Sequence, residues 1–482
     1  MMESPESASP WWRRLQVGEA YLFLIGIALA FVYTMLLVLR EDWNYLFPIV
    51  GALGALIVAF FCGTRLCLPL YFLTTFGTVL AFPGLPMTLN RAFALLFFLA
   101  WLLEAPRVFR KPPLMLPAIF FLLFQVYYLT LALVFKPPDA SFPIESLFYL
   151  LITFAIAYHY ANGPWMRWLF GSVVVVSLLM AALPAGLELF LGRDITLKGV
   201  GGPLARINGL STNAIIFAFC ALFAIPFAGA LALSARQLPA RLFFGAAAGV
   251  LVLVALLTFN RQTPIVFLGM YVTFIFFVRV PNRTWLIVPL IVGGLAIGPS
   301  IGGKIMDRIG ETANVRRDYS FAHRYDKIMV ATRIVAENPW LGIGHNYYKD
   351  RWSDYVRPGE MRLLHYMKGS PQFIDLGYLQ ILTEYGIVGL GLFLLVMGGS
   401  IVLLLKYHRV SRALPDPWWT NVFAALAALT AQQLLSLLVM DSFVTPRTYL
   451  YYGVLFAACA AVRMEYLRLY GSAASESKQV TP

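Results

Sequence analysis

Three positions in this 482-residue chain set a reactive side chain in a turn or junction beside apolar runs: Arg206, Arg261 and Asp375. Asp375 stands in Phe373-Ile374-Asp375-Leu376-Gly377-Tyr378-Leu379-Gln380, directly before an apolar run. A carboxylate there can take a proton from a hydroxyl as a general base. It can equally be a plain acid stabilised by the dipole of the helix it precedes. Arg261 lies in Thr258-Phe259-Asn260-Arg261-Gln262-Thr263-Pro264, a tight break between two runs. An arginine so placed either snorkels to the interface or meets an anion, and a phosphate suits its planar donors. Arg206 precedes another run that Ser211 or Thr212 can cap, and such a helix start also favours an anion. Two arginines converging from separate turns suit a pyrophosphate, while each alone also reads as an ordinary loop residue. His345 and His365 are further base candidates, set against the plain reading of surface histidines. Glu384 is either a second site acid or the partner of an arginine inside the bundle, and Arg324 and Tyr378 complete the set.

No metal or nucleotide enters this chemistry. The histidines lack i,i+4 or Cys/His ligand spacing, and the four cysteines fall in or beside apolar runs as small hydrophobes. Gly199-Val200-Gly201-Gly202-Pro203 is glycine-rich but lacks the lysine of a phosphate loop and follows no strand. The expectation is chemistry without cofactors.

The elements that must hold these residues are membrane spans. Only 13% of residues are charged and the mean hydropathy is +0.74, against about 25% charged in a soluble domain. Apolar runs long enough to cross about 30 Å of hydrocarbon recur throughout, and lipid leaves helices as the default spanning form. Spans are expected near 20–39, 44–63, 66–83, 90–104, 113–135, 144–161, 166–190, 212–234, 242–259, 264–278, 284–300, 378–405, 418–440 and 446–462. The fold class is therefore an all-α polytopic membrane protein of about 14 helices (12–14). The net charge of +13 belongs to topology and anionic lipid rather than to nucleic acid. With both termini inside, the inside segments take Arg13 and Arg14, Arg107, Arg110 and Lys111, Arg236 and Arg241, Arg279 and Arg283, and Lys406, Arg409 and Arg412. Most outside turns carry a single basic residue, as the positive-inside rule requires. Trp11-Trp12-Arg13-Arg14 precedes a span too long for a signal-peptide core, so no cleavable leader is expected.

Two outside segments break the pattern of short turns, Gly192–Ser211 and a much longer one. A first bundle part over 1–300 and a last part over 377–465 flank a loop at 301–376, with a disordered inside tail at 466–482. The loop holds three of the five histidines together with Trp340, Trp352 and several tyrosines, so folding is expected rather than disorder. Residues 324–335 read as an amphipathic helix with Tyr325, Ile328, Met329, Thr332 and Val335 on its apolar face.

Four stretches, in order and on one side of the membrane, resemble the O-antigen ligase and Wzy-type polymerase superfamily of bacterial envelopes. They are Arg206-Ile207-Asn208-Gly209-Leu210, Thr258-Phe259-Asn260-Arg261, Glu337-Asn338-Pro339-Trp340-Leu341-Gly342-Ile343-Gly344, and Gly377-Tyr378-Leu379-Gln380-Ile381-Leu382-Thr383-Glu384-Tyr385-Gly386-Ile387-Val388-Gly389-Leu390. The resemblance spans roughly residues 200–400. It implies a metal-independent, inverting, GT-C-like glycosyltransferase of the bacterial inner membrane with a periplasmic site. The donor would be an oligosaccharide on undecaprenyl pyrophosphate, held by Arg206 and Arg261. A base at the loop–helix junction would activate the hydroxyl of the growing glycan. Ligases carry His-Asn at that junction; Asp375 before Gly377-Tyr378-Leu379 looks more like the repeat-unit polymerases, and His365 or His345 are the alternatives as base. Polymerase is thus preferred to a ligase acting on lipid A–core, with a chain-length regulator as a further partner. Rival readings are a transporter or flippase, which lacks matching halves here, and a scaffold.

Overall fold

The computed structural model describes residues 63–72, 89–108, 116–135, 141–161, 163–182, 185–186, 214–258, 262–280, 319–357, 374, 376–438 and 446–479. Its regular elements are all helical over these residues. The chain divides into two units, Met1–Arg110 and Lys111–Pro482. In the first, helical backbone covers 63–72 and α1 runs Leu89–Val108.

In the second unit α2 is Leu116–Phe135, α3 Ser141–His159, α4 Gly163–Ser177, α5 Ala214–Ser234, α6 Leu238–Leu257 and α7 Thr263–Phe277. Then come α8 Tyr319–Glu337, α9 Gly377–Ala413, α10 Pro417–Ser436 and α11 Pro446–Gln479. Proline occupies one of the first two positions of α4, α6, α7, α10 and α11, where its missing N–H costs nothing and its fixed φ starts the helix. That is why α6 begins at Leu238, four residues ahead of the span expected from 242. α4 closes in a π turn, Leu178–Ala182, just ahead of Pro184. α11 continues through Glu465 and Arg468 to Gln479, past the limit expected for the last span.

Six described stretches are long and apolar enough to cross a membrane: Pro117–Phe135, Pro164–Ala182, Phe217–Ser234, Leu238–Leu257, Gly377–Ala413 and Arg447–Tyr470. The chain is thus a multi-pass, all-helical membrane protein. The expected spans near 20–39 and 284–300, and nearly all of that near 44–63, lie outside the described residues.

At the centre stands α10, buried at every position from Trp418 to Thr430 and packed against α5, α7, α9 and α11. Ala424, Ala425, Ala427 and Ala428 let those helices approach closely, which is how packing is gained where lipid removes the hydrophobic drive. Its neighbour α5 is buried over 83% of its apolar window and α6 over 22%, so α6 forms the lipid-facing side of that hairpin. Buried polar side chains are paired across helices: the Tyr449 hydroxyl donates to Gln125 Oε1 at 2.9 Å, and Gln432 Nε2 to the Phe219 carbonyl at 3.1 Å.

The ends of the second unit differ. At one, Arg167 bonds Asp416 at 2.7 Å, the Arg279 guanidinium reaches the carbonyls of Arg412 and Leu414, and Arg241 reaches that of Ala235. Arg241, Arg279 and Arg412, which the sequence assigns to separate inside segments, therefore share an end. At the other, the Gly377 N–H donates to the Leu437 carbonyl, and Tyr347 donates to the carbonyl of Phe135 at the end of α2. The long loop folds here.

Candidate functional site

Two of the sequence stretches singled out above lock together at this second end. α9 is broken at Gly386, whose φ of 66° and ψ of −169° are not helical. A break strands two carbonyls and two amides that would have paired with each other, and buried backbone groups need partners. The loop supplies all of them. Ile343 N–H donates to the Thr383 carbonyl at 3.1 Å and Gly344 N–H to that of Glu384 at 2.9 Å. In return Ile387 N–H donates to the Pro339 carbonyl at 2.8 Å and Val388 N–H to that of Trp340 at 3.3 Å. Backbones come this close only because side chains are missing: a Cβ on Gly342 would lie 2.5 Å from the Glu384 carbonyl carbon, and one on Gly386 would lie 2.2 Å from the Trp340 oxygen.

The joint carries a polar cluster. His345 Nδ1 is hydrogen-bonded to the Tyr385 hydroxyl at 2.6 Å and stands 3.3 Å from Glu384 Oε2. Gln380 Nε2 donates to Glu384 Oε1 at 3.3 Å. The Tyr128 ring meets the His345 ring edge-on at 5.0 Å, and the Tyr127 hydroxyl donates to the Tyr385 carbonyl at 2.8 Å, which ties α2 to the broken helix. Only 3% of the Glu384 side chain and 12% of that of His345 are exposed. A carboxylate so buried needs its donors. His345 Nε2 is buried and Nδ1 is taken up by the Tyr385 hydroxyl, so this geometry suits His345 to holding the joint more than to meeting a substrate hydroxyl.

His345→Ala is accordingly expected to lower the folded-state stability by about 1–3 kcal/mol, the cost of leaving a buried polar group short of a partner. The check is thermal unfolding in detergent. Glu384→Gln, which keeps the shape and a hydrogen-bonding group, should lose less; equal stability for wild type and His345→Ala would remove the pair from the account.

Behind the joint the loop has its own core, in which Val330, Ala331 and Ile334 of α8 pack with Ile343, Tyr348, Trp352 and Ile374. Asn338 Nδ2 donates to the Tyr355 hydroxyl and Arg333 to the Tyr355 carbonyl, which closes the short turns Tyr348–Arg351 and Trp352–Tyr355 onto α8. The expected apolar face of this helix is corrected. Tyr325, Met329 and Thr332 are exposed, and the buried stripe is Lys327, Val330, Ala331 and Ile334. Both stripes contain apolar residues; the small Ala331 allows the loop to close on one, and partners distant in sequence make the choice.

Of the candidate residues, His345, Tyr378 and Glu384 are described, and the structure brings His345 and Glu384 together. Tyr378 lies nearly two turns ahead of Glu384 and donates to the Leu434 carbonyl. Glu384 meets a histidine and a glutamine, not the arginine considered from the sequence. Arg324 lies in α8, with its side chain outside the described part, and Arg206, Arg261, His365 and Asp375 lie outside the described residues. The backbone flanking Asp375 is fixed on both sides: Ile374 is fully buried in the loop core, and the Gly377 N–H is bonded to Leu437. Sequence reading missed Tyr127, Tyr128 and Tyr385, because a tyrosine in an apolar run reads as core. The signal available was the pair Glu384-Tyr385 beside a glycine within a span.

A multi-pass helical protein whose long loop is stitched into a broken helix is the class that this geometry defines. Residues 247–394 match the Wzy_C family model, described as O-antigen ligase. That segment contains both halves of the joint, and it supports the O-antigen ligase and Wzy superfamily resemblance read from the sequence. Members of that family are glycosyltransferase-like enzymes acting in a membrane context. No curated protein matches the chain significantly.

Proposed function

We propose that the protein is a metal-independent, inverting glycosyltransferase of the bacterial inner membrane, which polymerises undecaprenyl-pyrophosphate-linked repeat units at the periplasmic face. The observation that supports it most is the joint: a folded loop, built from the matched segment, is stitched into α9 at Gly386, and its core includes Ile374 and packs against Leu376 and Leu379, on either side of Asp375. A reactive group needs its neighbours held in place, and backbone fixed on either side does that.

In this reading Asp375 takes the proton of the acceptor hydroxyl while that oxygen attacks the anomeric carbon. The bond from that carbon to the pyrophosphate oxygen breaks, and its electron pair leaves with undecaprenyl pyrophosphate. Arg206 and Arg261 neutralise the charge gathering on that leaving group, an electrostatic task. His345 and Glu384 position the loop; His345 and His365 are second choices as base. The family description favours one alternative, transfer of a finished glycan to lipid A–core as a ligase.

The test is product analysis with purified protein in nanodiscs, supplied with the lipid-linked repeat unit. A ladder of lengthening lipid-linked glycans supports the polymerase. Transfer in one step onto added lipid A–core makes it a ligase. An intact donor, moved across the bilayer instead of consumed, would make it a transporter.

A further inference from the structure

Trp340 and Leu341 stand in the turn that locks into the break of α9, yet 67% and 47% of their surfaces are exposed. A tryptophan left in water forgoes one of the largest apolar burials that a side chain offers. What surrounds this pair is decided by its depth in the membrane.

Two helices measure that depth. In α9, residues 387–405 run from the break to Lys406 without a charge. At about 1.5 Å per residue they measure roughly 28 Å, close to the hydrocarbon thickness of about 30 Å. Ile387, Val388, Leu394, Leu395, Val402 and Leu405 are exposed along them at helical spacing, which makes one lipid-facing stripe. The break therefore stands at the edge of the hydrocarbon on the loop's side. The carbonyls of Pro339 and Trp340 accept from Ile387 and Val388, so the turn hangs on the first residues of that stripe. The second measure is α2, which runs antiparallel beside α9 with Pro117 next to Gly399 and Tyr127 next to Gly389. Beyond Tyr127 it continues uncharged for about two more turns to Phe135, where Leu133 and Val134 are exposed. Apolar surface on this neighbour thus reaches past the level of Trp340.

The turn itself is built for such a place. Residues 338–344 carry no charge. The amides of Asn338, Gly342, Ile343 and Gly344 and the carbonyls of Pro339 and Trp340 are all hydrogen-bonded within the protein. Unpaired backbone groups are excluded from hydrocarbon, so this pairing lets an irregular turn sit at its edge. An indole, apolar in body and polar at its N–H, settles at that boundary. Glu337, exposed at the end of α8, sets the limit of insertion, because a carboxylate stays on the water side.

We propose that Trp340 and Leu341 anchor the long loop in the lipid bilayer, seated among the acyl chains just below the headgroups of the leaflet on the loop's side. The partner is lipid and not a second protein because the exposed pair continues the lipid-facing stripe of α9. The anchor fixes the height of the loop core, and with it Ile374, against the membrane surface.

Nitroxide labels on the full chain in phospholipid vesicles test this, placed at Leu341→Cys and, separately, at Trp340→Cys. Collisions are counted with oxygen, which concentrates in lipid, and with a nickel chelate, which stays in water. Leu394→Cys on the lipid-facing stripe and Asp350→Cys on an exposed turn of the loop are the references. Labelled wild type supplies the background of the native cysteines, of which Cys67, Cys220 and Cys459 are buried. Both labels in the turn should meet oxygen more than nickel, as at Leu394, with the order reversed at Asp350. Nickel in excess at Leu341 and Trp340 would put the turn in water and overturn the anchor. Shielding of both labels from both reagents would mean that protein covers the pair, and would overturn it as well.

Discussion

Asp375→Asn is expected to slow glycan transfer by about 10²- to 10⁴-fold, the usual worth of a positioned general base, with little change in the melting temperature. The substitution keeps shape and hydrogen-bonding capacity and removes only the ability to accept a proton. The rival reading of Asp375, an acid that stabilises the start of α9 through the helix dipole, predicts the reverse pattern. It gives a stability loss of about 0.3–1 kcal/mol and a nearly normal rate in the protein that remains folded. Turnover per folded molecule, measured beside thermal unfolding in the same nanodiscs, separates the two. A folded Asp375→Asn protein with wild-type turnover would shift the base to His365 or His345.

Gly386→Ala should be the most damaging single methyl group in the described part of the chain. At φ 66° and ψ −169° the backbone occupies a region essentially reserved for glycine. The added Cβ would meet the carbonyl carbon and oxygen of Trp340 at 2.3 and 2.2 Å, and these are backbone atoms tied into the joint. Strain of about 1–3 kcal/mol is joined by loss of the bonds from Ile387 and Val388 to the loop, each worth about 1 kcal/mol. The expected result is a loop that is cleaved by protease between α8 and α9, with activity lost. Gly391→Ala is the control, since nothing lies within 4 Å of its Cβ, and it should behave as wild type. Protease resistance unchanged in Gly386→Ala would mean that the loop does not depend on the joint.

Much of this architecture could be read from residues alone, and its physical reasons are plain. Apolar runs announce spans because lipid offers the backbone nothing, so α2, α5 and α9 stand close to where hydropathy puts them. Arginines from separate segments share an end, as their alternation between apolar runs leads one to expect. The two stretches that form the joint were also visible as motifs. Their union was not, because a glycine break in an apolar helix is indistinguishable from an ordinary span until the amides it frees are seen to bond with Pro339 and Trp340. The choice of buried face on α8 was likewise beyond the sequence, since both of its stripes, that of Ile328 and Met329 and that of Val330 and Ile334, contain apolar side chains. Glu384 could be flagged as an acid inside a span, but a partner 39 residues upstream, His345, is a property of the fold.

The central claim is glycosyl transfer driven by a pyrophosphate leaving group and stabilised by arginine. Its most direct measurement counts undecaprenyl pyrophosphate released against glycosidic bonds formed by the purified protein, in EDTA and without nucleotide, for wild type and for Arg261→Ala. The account predicts equal amounts for wild type, and for Arg261→Ala a loss of both by at least about 10²-fold, as when a donor aimed at developing charge is removed, in protein that still melts normally. Bond formation that continues unchanged without Arg261, or that ceases when divalent metal is removed, would contradict it.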